Sequence, residues 1–201
     1  MKFIRTFMIK ASKKDKGTIV NLLWSTFIEL EFPNSINFVV KQDKKRSTRL
    51  RYLMEYQCNV ALKFGEIWLS DDKKGCVLLL FPEKKRLSLS LFLWEIKLAL
   101  CCIGAENVLK VLKRESQLKE KHPKIPFIHF WLMAVIPEAQ GKGVGQKLLT
   151  EVLKKYQNSN KPFYLETTTK DNLKFYTKND FTIFDNTDTL NYPLFFLKHE
   201  K

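Results

Sequence analysis

Several things are scarce in this 201-residue chain, and each scarcity removes a class of protein. Cysteine occurs only four times, and Cys58, Cys76, Cys101 and Cys102 show neither CxxC nor Cys/His metal-ligand spacing. Each stands in an apolar context, which reads as a reduced core thiol and excludes a disulfide framework. Seven glycines and seven prolines exclude a collagen-like or low-complexity chain, and sixteen phenylalanines exclude a disordered one. No apolar run of about 18 residues exists. The greasiest stretch, Leu87 to Leu112, is cut by Glu95, Lys97 and Glu106. Met1 to Lys10 has too short an apolar core for a secretion signal, so no membrane partner and a cytoplasmic setting are expected.

Arginine is scarce too, and that decides how the charge is read. The net charge is +14, which alone suggests a nucleic-acid partner. The 35 cations are 29 lysines and only 6 arginines, spread along the chain in pairs such as Lys13/Lys14 and Lys154/Lys155. Phosphate and base readers favour the bidentate arginine fork, so a nucleic-acid partner is not expected.

What remains is a chain of ordinary domain size with 45% apolar residues, enough for one core, read as a single domain over 1–201. Phe3 to Ile9 reads as a strand. A helix follows Ser12, with Ile19, Leu22, Leu23 and Phe27 at 3/4 spacing, and a second runs from about Ser47 to Leu62. Glu66–Ser70 and Gly75–Phe81 form a strand pair around an Asp-Asp-Lys-Lys turn, closing an N-terminal part at 1–82. Residues 88–121 are helical. Two prolines make 122–126 a linker. In the part at 127–201, Phe127–Ile136 is a strand covered on both faces and Val144–Tyr156 an amphipathic helix. Pro162–Thr167, Phe181–Phe184 and Leu194–Lys198 are strands, with a short helix over Asn172–Asn179. The fold class is α/β (α+β).

Between the strand ending at Ile136 and the helix starting at Val144 lies Pro137-Glu138-Ala139-Gln140-Gly141-Lys142-Gly143, and Gly145 opens the helix. A strand, a glycine loop and a helix N-terminus aim free backbone N–H groups at one spot, which suits a pyrophosphate. A Walker loop is excluded, because Gly145-Gln146-Lys147-Leu148 lacks the spacing and the hydroxyl. A dinucleotide fingerprint needs GxGxxG after a first strand, and here the order is GxGxG late in the chain.

Gln140-x-x-Gly143-x-Gly145 after Met133-Ala134-Val135 resembles the acetyl-coenzyme A signature of the GNAT N-acetyltransferase family. Tyr164-Leu165-Glu166-Thr167 and Asn172-Leu173-Lys174-Phe175-Tyr176 through Phe181 resemble that family's next strand and its N-x-x-F-Y segment, in register with the first motif. Asp180 stands where many members have glycine, and Thr169 where relatives often place an asparagine against the cofactor arm.

The resemblance implies a GNAT fold: a mixed, twisted sheet of six to seven strands flanked by helices, with 88–121 inserted between strands 3 and 4 over the acceptor pocket. It implies acetyl-CoA as cosubstrate without a metal, and an amine of a small molecule or peptide as acceptor. A homodimer is the family-like arrangement. Gln140, Gly141, Lys142, Gly143, Val144, Gly145 and Gln146 would wrap the pyrophosphate. The backbone of Met133, Ala134 and Val135 would run beside the pantetheine arm as strands four and five part, and Asn172 and Tyr176 would complete the cofactor site. Tyr176 is the candidate acid for the thiolate. Candidate bases are His129, six positions before Val135 and hence expected on its face, and Glu31 or Glu29 between the first helices. Glu166 reads as structural or supporting. Leu91, Phe92 and Trp94 are candidates to line the acceptor pocket. The competing reading is a module that binds a CoA thioester without turning it over.

Overall fold

The computed structural model describes residues 7–200. Its elements in chain order are β1 (Met8–Lys10), α1 (Lys16–Phe27), α2 (Ser35–Val39), α3 (Arg46–Phe64), β2 (Gly65–Ser70) and β3 (Gly75–Leu80). Then come α4 (Leu89–Leu98), α5 (Val108–Lys121), β4 (Ile128–Val135), α6 (Val144–Tyr156), β5 (Phe163–Thr167), α7 (Lys170–Thr177), β6 (Thr182–Thr187) and β7 (Leu194–His199). The expected first strand begins outside the described residues and is seen from Met8. The expected helix over 172–179 starts two residues earlier, at Lys170, because the Thr169 hydroxyl caps it by accepting from the N–H of Asn172.

The seven strands form one sheet in the order β1-β2-β3-β4-β5-β7-β6, antiparallel except for the parallel pair β4/β5. Two apolar layers cover it. On one face α1 and α3 bury Ile19, Leu23, Leu50 and Met54 against Ile67, Leu69, Cys76, Leu78 and Ala134. On the other, α6 and α7 bury Leu148, Leu149, Val152 and Tyr176 against Val77, Leu79, Phe130 and Leu165. Period-two alternation within β3 sends Cys76 and Leu78 to the first layer and Val77 and Leu79 to the second.

The helical insertion is two helices. Leu98 runs into a π-turn at Ala99–Ile103, and Gly104 with φ +80° reverses the chain before α5. One short helix had no apolar period to announce it. In α2, Asn34 caps the N–H groups of Ile36 and Asn37, and Arg46 ties the preceding loop down through the carbonyls of Ile28 and Leu30. The cysteines stand as free thiols; Cys58, Cys76 and Cys102 are fully buried. Burial pushes the Cys58 thiol up to about 11 and that of Cys102 to about 12, so both stay protonated at neutral pH.

Candidate active site

Two features of β4 build the site. Leu80 faces His129 and Leu79 faces Phe130, but Leu78 faces Leu132, so Trp131 is an extra residue, a β-bulge. Beyond it β4 leaves its parallel neighbour. Only Ile128↔Phe163 and His129↔Tyr164 pair, and the rest of β5 runs on without β4. A wedge opens between the two strands at the centre of the sheet.

The bulge corrects one expectation. An extra residue inverts the alternation, so His129 does not share the face of Val135. His129 lies with Leu80, Leu132 and Ala134 on the α1/α3 face. Val135 lies opposite Gly75, on the α6 face with Met133. Ile136 donates its N–H to Lys74 on the β3 side. By alternation, the main-chain groups of Met133 and Val135 point the other way, into the wedge. The Val135 carbonyl accepts from the Gln140 amide at 3.0 Å and from the Thr26 hydroxyl at 3.2 Å, which anchors α1 and the glycine loop to the wedge rim.

The loop itself takes up the left-handed conformation that glycine adopts without strain. Gly141 and Gly143 have φ of +70° and +80°, and a Cβ on either would point into open space. Lys147 donates to the Gly143 carbonyl, so the N–H groups of Val144, Gly145 and Gln146 form the first turn of α6, where no intrahelical acceptor exists. A Cβ on Gly145 would lie 3.7 Å from Met133 and Val135, so glycine there brings α6 close to β4. The cradle therefore fits a pyrophosphate by its backbone. Lys142 extends to a cleft of about 530 Å3 beside the β2–β3 turn, with Lys74, Lys147, Asp72 and Glu138 on its walls. The Gln146 side chain clasps Asn179 at the end of α7, and Asn172 is exposed in the first turn of that helix. Asp180 adopts φ +63°, the left-handed turn that glycine makes in many relatives of the motif.

Tyr176 is buried on the α6/α7 side, its ring edge-on to Phe130 at 6.1 Å and to Phe181 at 5.4 Å. Phe130 immediately precedes the bulge, so the phenol ring stands beside the start of the wedge. Burial holds the phenol well above the usual tyrosine range, and it keeps its proton.

On the opposite face a group gathers that the sequence showed only in part. Glu166 of β5 accepts from His129 Nε2 at 2.8 Å through one oxygen and from His122 Nε2 at 2.6 Å through the other. All three are largely buried. Burial alone would raise the Glu166 carboxyl. The charge of His129 and the hydrogen bonds from both imidazoles outweigh it and hold the carboxyl well below the usual range. An ionised carboxylate only accepts, so each Nε2 donates to it, and an imidazole in its neutral form would hold its lone pair on Nδ1. His122 falls in a segment that reads as a linker, because the two prolines of His-Pro-Lys-Ile-Pro suit neither helix nor strand. The donor set of two histidines and a glutamate, with ligand atoms within 4.8 Å, is also one that a metal ion accepts.

The other sequence candidates lie elsewhere. Glu29 and Glu31 are exposed in the loop before α2. Leu91 and Trp94 pack on α3 through Val60 and Phe64, whereas Phe92 faces solvent.

Comparison with known proteins agrees with this geometry. Residues 103–183 match the family model described as acetyltransferase (GNAT) domain, a span that contains the glycine loop, the wedge and Tyr176. Among solved structures, the chain is similar to histone acetyltransferase HPA2 and related acetyltransferase from Corynebacterium glutamicum. The TM-score is 0.66 at 19% identity, over 96% of this chain and 94% of the other. It is similar to an N-acetyltransferase from Staphylococcus aureus Mu50, with TM-score 0.60, 17% identity and 96% and 100% coverage. A third is PaiA N-acetyltransferase from Thermoplasma acidophilum in complex with coenzyme A, with TM-score 0.54, 13% identity and 96% and 98% coverage. The chain has the fold of the GNAT acetyltransferases, as the motif resemblance implied.

Proposed function

We propose that this chain, a GNAT fold with a matched GNAT acetyltransferase domain, moves the acetyl group of acetyl-CoA to an amine of a small molecule or peptide. The observation that carries the reading is the wedge. β4 parts from β5 after two residue pairs, directly beside a helix N-terminus whose glycines leave a backbone cradle open. The pantetheine arm would lie along Met133 and Val135 as an added strand, with the pyrophosphate on the N–H groups of residues 140–146.

Acceptor and acid then approach the thioester from opposite faces of the sheet. His129, oriented by Glu166, takes a proton from the ammonium at Nδ1, and the free amine attacks the thioester carbonyl. The carbon–sulfur bond breaks, and the departing thiolate takes the proton of Tyr176. The amide nitrogen loses its second proton, which restores Tyr176 through solvent, and His129 gives the first proton to water, so the sum is ammonium plus thioester to amide, thiol and one released proton. The phenol lies above a thiol of pKa about 8–9 and burial raises it further, so Tyr176 gives up its proton only as the thiolate departs beside it. No cysteine is needed as nucleophile, and the buried thiols are held protonated.

A thermal-shift titration tests the reading, with acetyl-CoA, CoA and ATP on the wild type and on Gly143→Glu. At 100 times its dissociation constant a ligand stabilises by ~2.7 kcal/mol, roughly a 5–10 °C rise for a chain of this size. The expected result is a rise with both CoA species, none with ATP, and loss in the variant. No rise with any of them overturns the proposal. A rise without turnover across an amine panel favours the binding module.

A further inference from the structure

Helix α4 is apolar on both sides, and among the described residues only one side is covered. Leu91 is buried on α3 with Val60 and Phe64, and Trp94 packs beside it. On the opposite side Leu89 (74% exposed), Phe92 (59%), Leu93 (54%), Ile96 (40%) and Leu100 (65%) face water. At 100° per residue Leu89, Phe92, Leu93 and Ile96 fall within one stripe, because their spacings are three, four and seven from Leu89, and Leu100 follows in the π-turn beyond the end of α4. Leu87, almost wholly exposed, extends it at the N-terminal end. A soluble chain rarely leaves so large an apolar stripe open without a partner.

We propose that this outward face of α4 is a two-fold seam on which a second copy of the chain docks, α4 against α4. Three observations choose that occupant. Leu89, Leu93 and Ile96 follow the 4-3 spacing by which one helix meshes with another, and Phe92 widens the seam. The six side chains expose roughly 800 Å2, about what each partner contributes to a standard-size interface. The flanking charges are already engaged within the chain: Lys85 with Glu95 at 4.0 Å and Lys97 with Glu55 at 3.1 Å. Arg86, beside Leu87, is exposed without an ion pair among the described residues, and an antiparallel two-fold pairing of α4 with α4 keeps the two copies of it at opposite ends of the seam.

Charge sets the sign of the test. Each copy carries +14, so the pair repels at long range and salt should tighten it by screening. An anionic lipid surface, the other natural cover for an apolar stripe on a basic protein, would respond in the opposite way. Sedimentation of the full chain from 1 to 100 μM should give a species of twice 23.7 kDa. The dimer should tighten several-fold between 50 and 500 mM salt. Leu93→Glu and Ile96→Glu should each be monomeric at every concentration, with unchanged far-UV circular dichroism and an unchanged acetyl-CoA thermal shift. Should either fail to fold, Leu93→Cys joined by a bis-maleimide, with the wild type as background, reads the same contact. A wild-type monomer at 100 μM overturns the proposal, as does a dimer indifferent to both glutamates. So does a monomer that binds phosphatidylglycerol vesicles through this stripe. These outcomes do not depend on turnover, so they separate this proposal from the catalytic one.

Discussion

Glu166 bridges His129 and His122, one carboxylate oxygen to each imidazole at 2.8 and 2.6 Å, across the mouth of the wedge between β4 and β5. The bridge makes a structural demand and a catalytic one. Glu166→Gln keeps the shape but offers one acceptor oxygen for two N–H donors and removes the ion pair. Breaking a buried pair from one side costs roughly 3–5 kcal/mol, and here about 2–3 is expected because the gap-side edge admits water. If Glu166 orients the base, kcat for the accepted amine should fall ~10²-fold while acetyl-CoA affinity holds. Chemical denaturation and steady-state kinetics of one variant read both; unchanged kcat would reduce Glu166 to scaffolding.

The same carboxylate makes stability depend on acid. Its folded pKa lies below the ordinary 4.5, so the unfolded chain takes up the proton first as pH falls. The stabilisation is complete above the ordinary carboxylate range and drains away as pH drops through 4.5 toward the lower folded value. Urea midpoints at pH 7, 5 and 3 should fall most steeply between 5 and 3. Glu166→Gln should show a shallower fall over that interval. Equal slopes would mean that other carboxylates carry the acid sensitivity.

Tyr176 separates chemistry from packing in a different way. The ring sits against Phe130 and Phe181, and Tyr176→Phe leaves those contacts in place. The expected outcome is a ~10²-fold loss of kcat with acetyl-CoA binding within twofold and a thermal midpoint within about 2 °C. A variant as fast as wild type would identify Tyr176 as a core tyrosine only.

How far the sequence could be read follows from where its signals are periodic. Ile19, Leu22 and Leu23 announced α1 by their spacing, and the glycines at 141, 143 and 145 announced the loop, two by their left-handed conformation and the third by the close approach of α6 to β4. The bulge at Trp131 was invisible. Phe127 to Ile136 is apolar on both faces, and a run without alternation carries no mark where its register slips. That one residue moved His129 to the other side of the sheet and opened the wedge. His122 was hidden for another reason: its partner lies 44 positions away, and nothing local distinguishes a linker histidine from one held by a distant carboxylate. The exposed side of α4 was equally silent, since a helix apolar all round reads as buried.

Gly65 gives the sharpest stability test because the clash is with backbone that cannot move aside. It joins α3 directly to β2, and a Cβ there would lie 1.8 Å from the Leu79 carbonyl oxygen of β3. Its φ of −155° is one that any residue adopts, so conformational freedom is not the reason for glycine; close approach of two strands is. Gly65→Ala must push β2 from β3 at the point where α3 hands the chain into the sheet, costing about 3 kcal/mol or more. That corresponds to a fall of roughly 6–12 °C in thermal midpoint. Asp180 offers the opposite sign. It pays for a left-handed φ of +63° with a side chain that glycine would not need, so Asp180→Gly should stabilise by about 0.5–1 kcal/mol. Measured together, the two variants separate the two reasons a chain needs glycine: Gly65 for space, position 180 for conformation. A tolerated Gly65→Ala would mean that β2 and β3 can part at their first pair, Gly65↔Leu80, without loss to the sheet.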